Sequence, residues 1–158
     1  MQSIPLSPSA IDTANEQDLR RLFQVWESSV RATHTFLSDV DIQRLIPLVE
    51  SELANFDPIY CLRNGEGEPF AFLGVAAFKI EMLFVHAANR GRGAGRLLSE
   101  FAIQELHANS VDVNEQNVEA LGFYRHIGFR QVSESALDAA GLPFPLLHMA
   151  LPRKDVRR

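Results

Sequence analysis

Arg90-Gly91-Arg92-Gly93-Ala94-Gly95-Arg96 stands directly after an apolar run at residues 80–85 and directly before a helical stretch at residues 96–107. The order is strand, glycine-rich turn, helix. Glycines let the backbone come close to a ligand, and the start of a helix presents unpaired N–H groups and a positive dipole end. An anion is the natural guest of such a turn, and a phosphate the most natural anion.

Spacing selects among phosphate ligands. A P-loop requires Gly-Lys followed by Ser or Thr, whereas Gly95 is followed by Arg96-Leu97, which excludes that mode of ATP binding. A dinucleotide turn requires G-x-G-x-x-G. Gly91, Gly93 and Gly95 give G-x-G-x-G with Arg96 where the last glycine belongs. Asp112 lies near the expected position of a ribose-binding acid, so a nucleotide-binding α/β domain stays as an alternative, one that predicts a parallel sheet. The pattern that fits is Arg90-x-x-Gly93-x-Gly95.

A second pattern follows about one βα unit later, N-x-x-A-x-x-F-Y-x-x-x-G-F, met by Asn117, Ala120, Phe123, Tyr124, Gly128 and Phe129. With these two motifs in this order, the chain resembles the GCN5-related N-acetyltransferases, the GNAT family. The resemblance runs from Phe70 to Leu151. Residues 31–38 (RATHTFLS), 113–117 (VNEQN) and 141–147 (GLPFPLL) look like the bacterial YjaB-type members and extend it into the N-terminal half.

The 158 residues suit one domain, read as 1–152, large enough to bury roughly two thirds of its unfolded surface. With 46% hydrophobic and 22% charged residues and a net charge of -5, the chain has no general attraction for nucleic acid. The basic stretch 153–158 (RKDVRR) reads as a solvated tail. The single cysteine, Cys61, cannot form an intramolecular disulfide and sits in a strand-like run, so a buried, inert thiol is expected. No leader pattern opens the chain and no run approaches the roughly 18 apolar residues of a membrane span, so a cytoplasmic protein is expected. His86, His107, His126 and His148 lack metal-ligand spacing, and no metal is expected.

Thr13-Ala14-Asn15-Glu16 has the form of a capping box before a helix running to about Arg31. Ser38 and Asp41 can cap a second helical stretch, which Pro47 is expected to divide into two short pieces. Residues 59–63 and 70–77 read as a hairpin, 79–85 as a third strand, and 111–114 as a strand parallel to it after a right-handed crossover. A short helix over 119–126 and closing strands at 130–133 and 146–151 complete an α/β (α+β) fold. Its sheet is mixed and mostly antiparallel, with six to seven strands flanked by helices. By resemblance, that sheet is splayed between its fourth and fifth strands.

The resemblance implies acetyl-CoA as co-substrate, lying in the splay. Its pyrophosphate would rest on Arg90, Gly91, Arg92, Gly93, Ala94, Gly95 and Arg96, and main-chain groups of Leu83, Phe84 and Val85 would hold the pantetheine arm and thioester. Tyr124 takes the family position of the acid that protonates the departing thiolate. A phenol, with an ordinary pKa near 10, carries a proton at neutral pH. Of the aromatic pair, Phe123 is expected to take the core position. Glu81, expected to share a strand face with Leu83 and Val85, and His34, in the connection where relatives build the acceptor pocket, are the alternative bases. Asn114 can orient substrate or cofactor amides or cap the next helix, and Asn117, a fixed position of the second motif, is implied with it among the cofactor-binding residues. The acceptor is a small-molecule or peptide amine, attacked directly in a ternary complex. A CoA-binding sensor without turnover is the alternative. The apolar loop 136–145 reads as a wall of the acceptor site or a homodimer contact.

Overall fold

One two-residue hairpin and two helical crossovers set the topology. The computed structural model of the chain describes residues 6–153. Its elements are β1 (Asp12–Thr13), α1 (Leu19–Thr33), α2 (Asp39–Asn55), β2 (Tyr60–Arg63), β3 (Pro69–Ala76), β4 (Lys79–Val85), α3 (Ala94–Gln104), β5 (Ser110–Asn114), α4 (Val118–Ile127), β6 (Arg130–Ser135) and β7 (Leu146–Ala150). They form one sheet in the order β1-β2-β3-β4-β5-β7-β6, antiparallel throughout except for β4 beside β5. That pattern removes the nucleotide-binding alternative, which required a parallel sheet. Ala77 and Phe78 close the β3–β4 hairpin at φ 50° and 62°, the left-handed pair that a tight two-residue connection needs.

Helices cover both faces. On one side Leu98 and Ala102 of α3 and Leu121 and Tyr124 of α4 pack on Leu73, Ile80, Val111 and Met149. On the other, Leu22, Val25, Trp26 and Val30 of α1 and Ile42 and Leu53 of α2 pack on Cys61, Phe72 and Met82. Cys61 is fully buried, and burial pushes its thiol up to about 11, so it stays protonated at neutral pH.

Three local expectations change. The first capping box is formed by Asn15 and Asp18, not by Thr13 and Glu16, and it opens a short 3-10 turn that leads into α1 at Leu19. The helix α2 is continuous through Pro47. Pro47 and Gln43 are both exposed, so the carbonyl that loses its N–H partner turns to water, and the inward residues on either side hold the helix together. The far tail, 154–158, lies outside the described residues. A strand not expected, β1, adds to the sheet edge because Arg63 binds Asp12, Asp18 and the carbonyl of Thr13.

Candidate active site

The parallel pair β4 and β5 is a fork. Only Lys79↔Ser110 and Ile80↔Val111 are paired, after which the strands part. The glycine turn follows the open end of β4. Gly93 takes φ 85° as N-cap of α3 and supplies no capping side chain, so the first-turn N–H groups of Ala94, Gly95 and Arg96 have no intrahelical partner. Gly91 is also left-handed, at φ 78°. An eleven-residue helix with an uncapped N-terminus and arginines around it suits a pyrophosphate.

A cavity of about 350 Å³ opens between the fork and α4, lined by Leu83, Phe84 and Val85 of β4, by Gly95, and by Asn117, Ala120, Phe123 and Tyr124. Its far wall is the end of α1: Ser29, Thr33 and His34. Gly95 lies against the Phe123 ring, where an added Cβ would sit 3.6 Å from that ring. A slender, partly apolar arm therefore fits between the β4 backbone and Phe123, with its anionic end at the helix start.

A family model described as an acetyltransferase (GNAT) domain matches residues 67–151. The chain belongs to the GNAT family. It is similar to the peptidyl-lysine N-acetyltransferase YjaB of Escherichia coli K12, with 35% identity over 89% of this chain and 95% of that one. The Salmonella typhimurium YjaB is 33% identical over 90% of this chain and 97% of its own length. The solution structure of the apo form of E. coli YjaB superposes with a TM-score of 0.81 over 89% of this chain and 95% of that one. The Thermoplasma acidophilum PaiA N-acetyltransferase, solved with coenzyme A, shares the fold at 17% identity, with a TM-score of 0.64 over 90% and 98% of the two chains. The protein is thus an acetyl-CoA-dependent N-acetyltransferase, and the sensor alternative falls.

Within the enzyme, Tyr124 and Phe123 exchange their expected places. Tyr124 is the deeper, 7% exposed, and stands edge-on to both Phe123 and Phe129. Phe123 is half-buried and forms the cavity wall. The Tyr124 hydroxyl has no hydrogen-bond partner among the described residues, and burial raises its pKa well above that of a free phenol.

His34 lines the cavity, and burial pushes its imidazole down to about 4, so it is neutral at physiological pH. The Thr33 hydroxyl donates its one proton to the Ser29 carbonyl at 2.8 Å. The 2.9 Å contact between Thr33 Oγ1 and His34 Nδ1 therefore runs from the ring N–H to the oxygen. Nε2 is left as the bare nitrogen. Phe36 packs on His34 at 5.4 Å and Phe144 on Phe36 at 5.8 Å, which brings the 136–145 loop to this wall of the site.

Glu81 is not where alternation put it. Gly74 pairs with Met82 and Val75 with Ile80, so Glu81 is the extra residue of a β-bulge and has no partner on β3. Leu83 and Val85 face α3 and α4, whereas Glu81 stands 3.8 Å from Lys79, which also pairs with Asp112, and its charge helps raise the pKa of Glu52 on α2, after burial.

The remaining residues divide between turn and cavity. Arg90 pairs with Glu119 and Arg96 with Glu100 at 3.0 Å, while Arg92 has no carboxylate partner among the described residues. Asn117 is buried and caps α4 by accepting from Ala120 N–H. Asn114 accepts from Gln116 N–H within its own turn and stands outside the cavity wall. Glu119 and Ser29 were not singled out by sequence; Glu119 is two residues beyond a motif position, and Ser29 carries no motif at all.

Proposed function

We propose that the enzyme acetylates lysine ε-amino groups in peptides or proteins by direct attack of the amine within a ternary complex, with Tyr124 as the acid. Acetyl-CoA supplies the activated acetyl group and a thiol leaving group. Gly93, Ala94, Gly95 and Arg96 would bind its pyrophosphate through main-chain N–H groups, with Arg92 adding charge, while Leu83, Phe84 and Val85 direct the arm down the fork.

The observation that carries this reading is the Tyr124 hydroxyl: at the cavity, without a hydrogen-bond partner among the described residues, and kept protonated by burial. A held proton with no competing acceptor is available to a thiolate as charge develops on it. Cys61, buried and protonated on the opposite face, leaves no thiol for a covalent acetyl-enzyme. Support for a lysine acceptor comes from the YjaB relatives, named as peptidyl-lysine enzymes, and from carboxylates Glu81, Asp112 and Glu52 near the base of the fork. Glu81 would draw in the ammonium, and the bare Nε2 of His34 would accept a hydrogen bond from the amine.

The test is initial-rate kinetics with acetyl-CoA and a lysine-containing peptide, read as free thiol and as peptide mass. Intersecting double-reciprocal lines and an acetylated lysine are expected. Parallel lines, or acetylation of the peptide α-amine alone, would overturn the proposal.

A further inference from the structure

Ser29 faces Tyr124 across the cavity, and each is a buried residue whose hydroxyl has no hydrogen-bond partner among the described residues. Tyr124 is 7% exposed and Ser29 is 8% exposed. Among the described residues, the one unpartnered side-chain polar atom sealed from all access is Ser99 Oγ, inside α3. The Ser29 oxygen therefore keeps an opening, and the cavity is the space that this residue borders.

A serine or threonine inside a helix can turn its hydroxyl back to the carbonyl four residues earlier. Thr33 does so, donating to the Ser29 carbonyl at 2.8 Å, whereas Ser29 makes no such bond to Val25. The setting of α1 fixes where the free hydroxyl lies. Leu22, Val25, Trp26 and Val30 hold one face of the helix on the sheet, and Ser28 Oγ accepts from Ala87 N–H at 3.1 Å, which ties α1 to the turn after β4. Ser29 and Thr33, one turn apart, line the cavity together, and His34 Nδ1 lies 2.9 Å from Thr33 Oγ1. Linked through Thr33, two polar atoms without a partner among the described residues stand on this wall, Ser29 Oγ and His34 Nε2.

An amine presents donors to this wall at every stage. With an ordinary pKa near 10.4, a lysine amine arrives as an ammonium with three N–H bonds. A hydroxyl facing a cation turns its oxygen to it, and a bare imidazole nitrogen only accepts. After losing one proton, a primary amine keeps two N–H bonds and one lone pair. With the two N–H bonds held by Ser29 Oγ and His34 Nε2, the lone pair points away from α1 toward the β4 and Tyr124 side of the cavity. A secondary amine has one N–H bond at that stage. One of the two acceptors then stays unpaired, and an alkyl group stands where the donor belongs.

We propose that Ser29 is a specificity-determining residue of the acceptor site: its oxygen and His34 Nε2 hold the two N–H bonds of a primary amine and so select primary over secondary amines. The inference rests on the lysine-acceptor reading above. Ser29 forms no bond to the acetyl group and neither gains nor loses a proton. Its part is to fix the direction of the nitrogen lone pair, a matter of orientation. Nε-methyl-lysine is the ligand that separates this role from general polarity, because it carries the same charge as lysine with one donor fewer.

The test uses the full chain, acetyl-CoA and two peptides, acetyl-Gly-Lys-Gly-amide and the same peptide carrying Nε-methyl-lysine, with acetyl-CoA binding followed separately by calorimetry. Wild type is expected to favour the lysine peptide at least about 30-fold in kcat/KM. Ser29→Ala removes the oxygen and suits a helix. It should lower kcat/KM for lysine about tenfold, leave that for methyl-lysine within about twofold, and bind acetyl-CoA unchanged. The preference for lysine therefore narrows about tenfold. An equal loss on both peptides would mark Ser29 as structural and overturn the proposal, as would an unchanged preference with unchanged rates. Wild type alone gives an answer independent of variant folding: equal kcat/KM for the two peptides would also overturn it. Wild type that binds acetyl-CoA but acetylates neither peptide would remove the lysine-acceptor reading first, and this inference with it.

Discussion

The two walls of the fork are built in opposite ways. On the wall proposed for the cofactor, the groups placed to meet the pyrophosphate belong to one short stretch, residues 90–96, and would act through backbone N–H groups and the absence of side chains. The far wall, proposed for the acceptor, presents Thr33 and His34 at the end of α1, with Phe36 and then Phe144 of a distant loop stacked behind His34, and it would act through side chains. A wall made of backbone tolerates change only where a side chain adds no bulk toward the ligand. A wall made of side chains can be re-cut residue by residue, as enzymes that share a co-substrate and differ in acceptor require.

The largest effect expected from this contrast is at Gly93. No protein atom lies within 4 Å of a Cβ placed there, so Gly93→Val meets no protein atom at its Cβ, and the left-handed φ of 85° adds strain of about 1–2 kcal/mol. Acetyl-CoA affinity should nevertheless fall at least about 100-fold in calorimetry, a loss of about 3 kcal/mol. Retained affinity would show that the turn does not carry the pyrophosphate. Next comes Tyr124→Phe, which keeps the buried ring and removes only the hydroxyl. It should lower kcat about 100-fold and leave acetyl-CoA binding unchanged. A matching loss of binding would move Tyr124 from acid to part of the cofactor wall.

A smaller change is expected at Glu81. If it draws in the ammonium without holding the transferred proton, Glu81→Gln should raise the KM for a lysine peptide about fivefold to tenfold, an effect that weakens with salt, and barely change kcat. A large kcat loss with unchanged KM would make Glu81 itself the base.

This contrast also explains which parts could be read from sequence. The glycine turn and the strand 79–85 are local, so spacing alone exposes them, and the Asn117-to-Phe129 pattern is recognised by its resemblance to the family. The acceptor wall depends on events that spacing does not encode. One bulged residue turned Glu81 away from Leu83 and Val85, and its only trace in the sequence is Gly74, where a Cβ would sit 2.6 Å from the Met82 side chain. Phe123 and Tyr124 depart from the amphipathic expectation because a helix that borders a cavity has two inward directions, one toward the core and one toward the cavity.

The smallest functional effect is expected at the far edge of the sheet, which serves as a control for both walls. Arg63 bonds Asp18 through both terminal nitrogens at 2.9 Å and Asp12 at 2.8 Å, fastening the segment before α1 to β2. Hydrogen bonds from Arg63 hold both carboxyls below their ordinary value of 3.8. A carboxyl whose folded pKa is lowered adds stability that is complete above its unfolded pKa and disappears as pH falls through the folded one. Asp18 is the partner that counts, because its side chain is only 12% exposed whereas that of Asp12 is 60% exposed and screened by water. Arg63→Met should therefore cost about 2 kcal/mol in urea unfolding at pH 7, and the gap to wild type should narrow once the pH drops below about 4. Because Arg63 touches neither wall of the fork, acetyl-CoA affinity and kcat at a temperature where both proteins are folded should be unchanged. Should kcat fall as well, the position of α1, and with it His34, would depend on this edge. The acceptor wall would then be held from further away than its own contacts indicate.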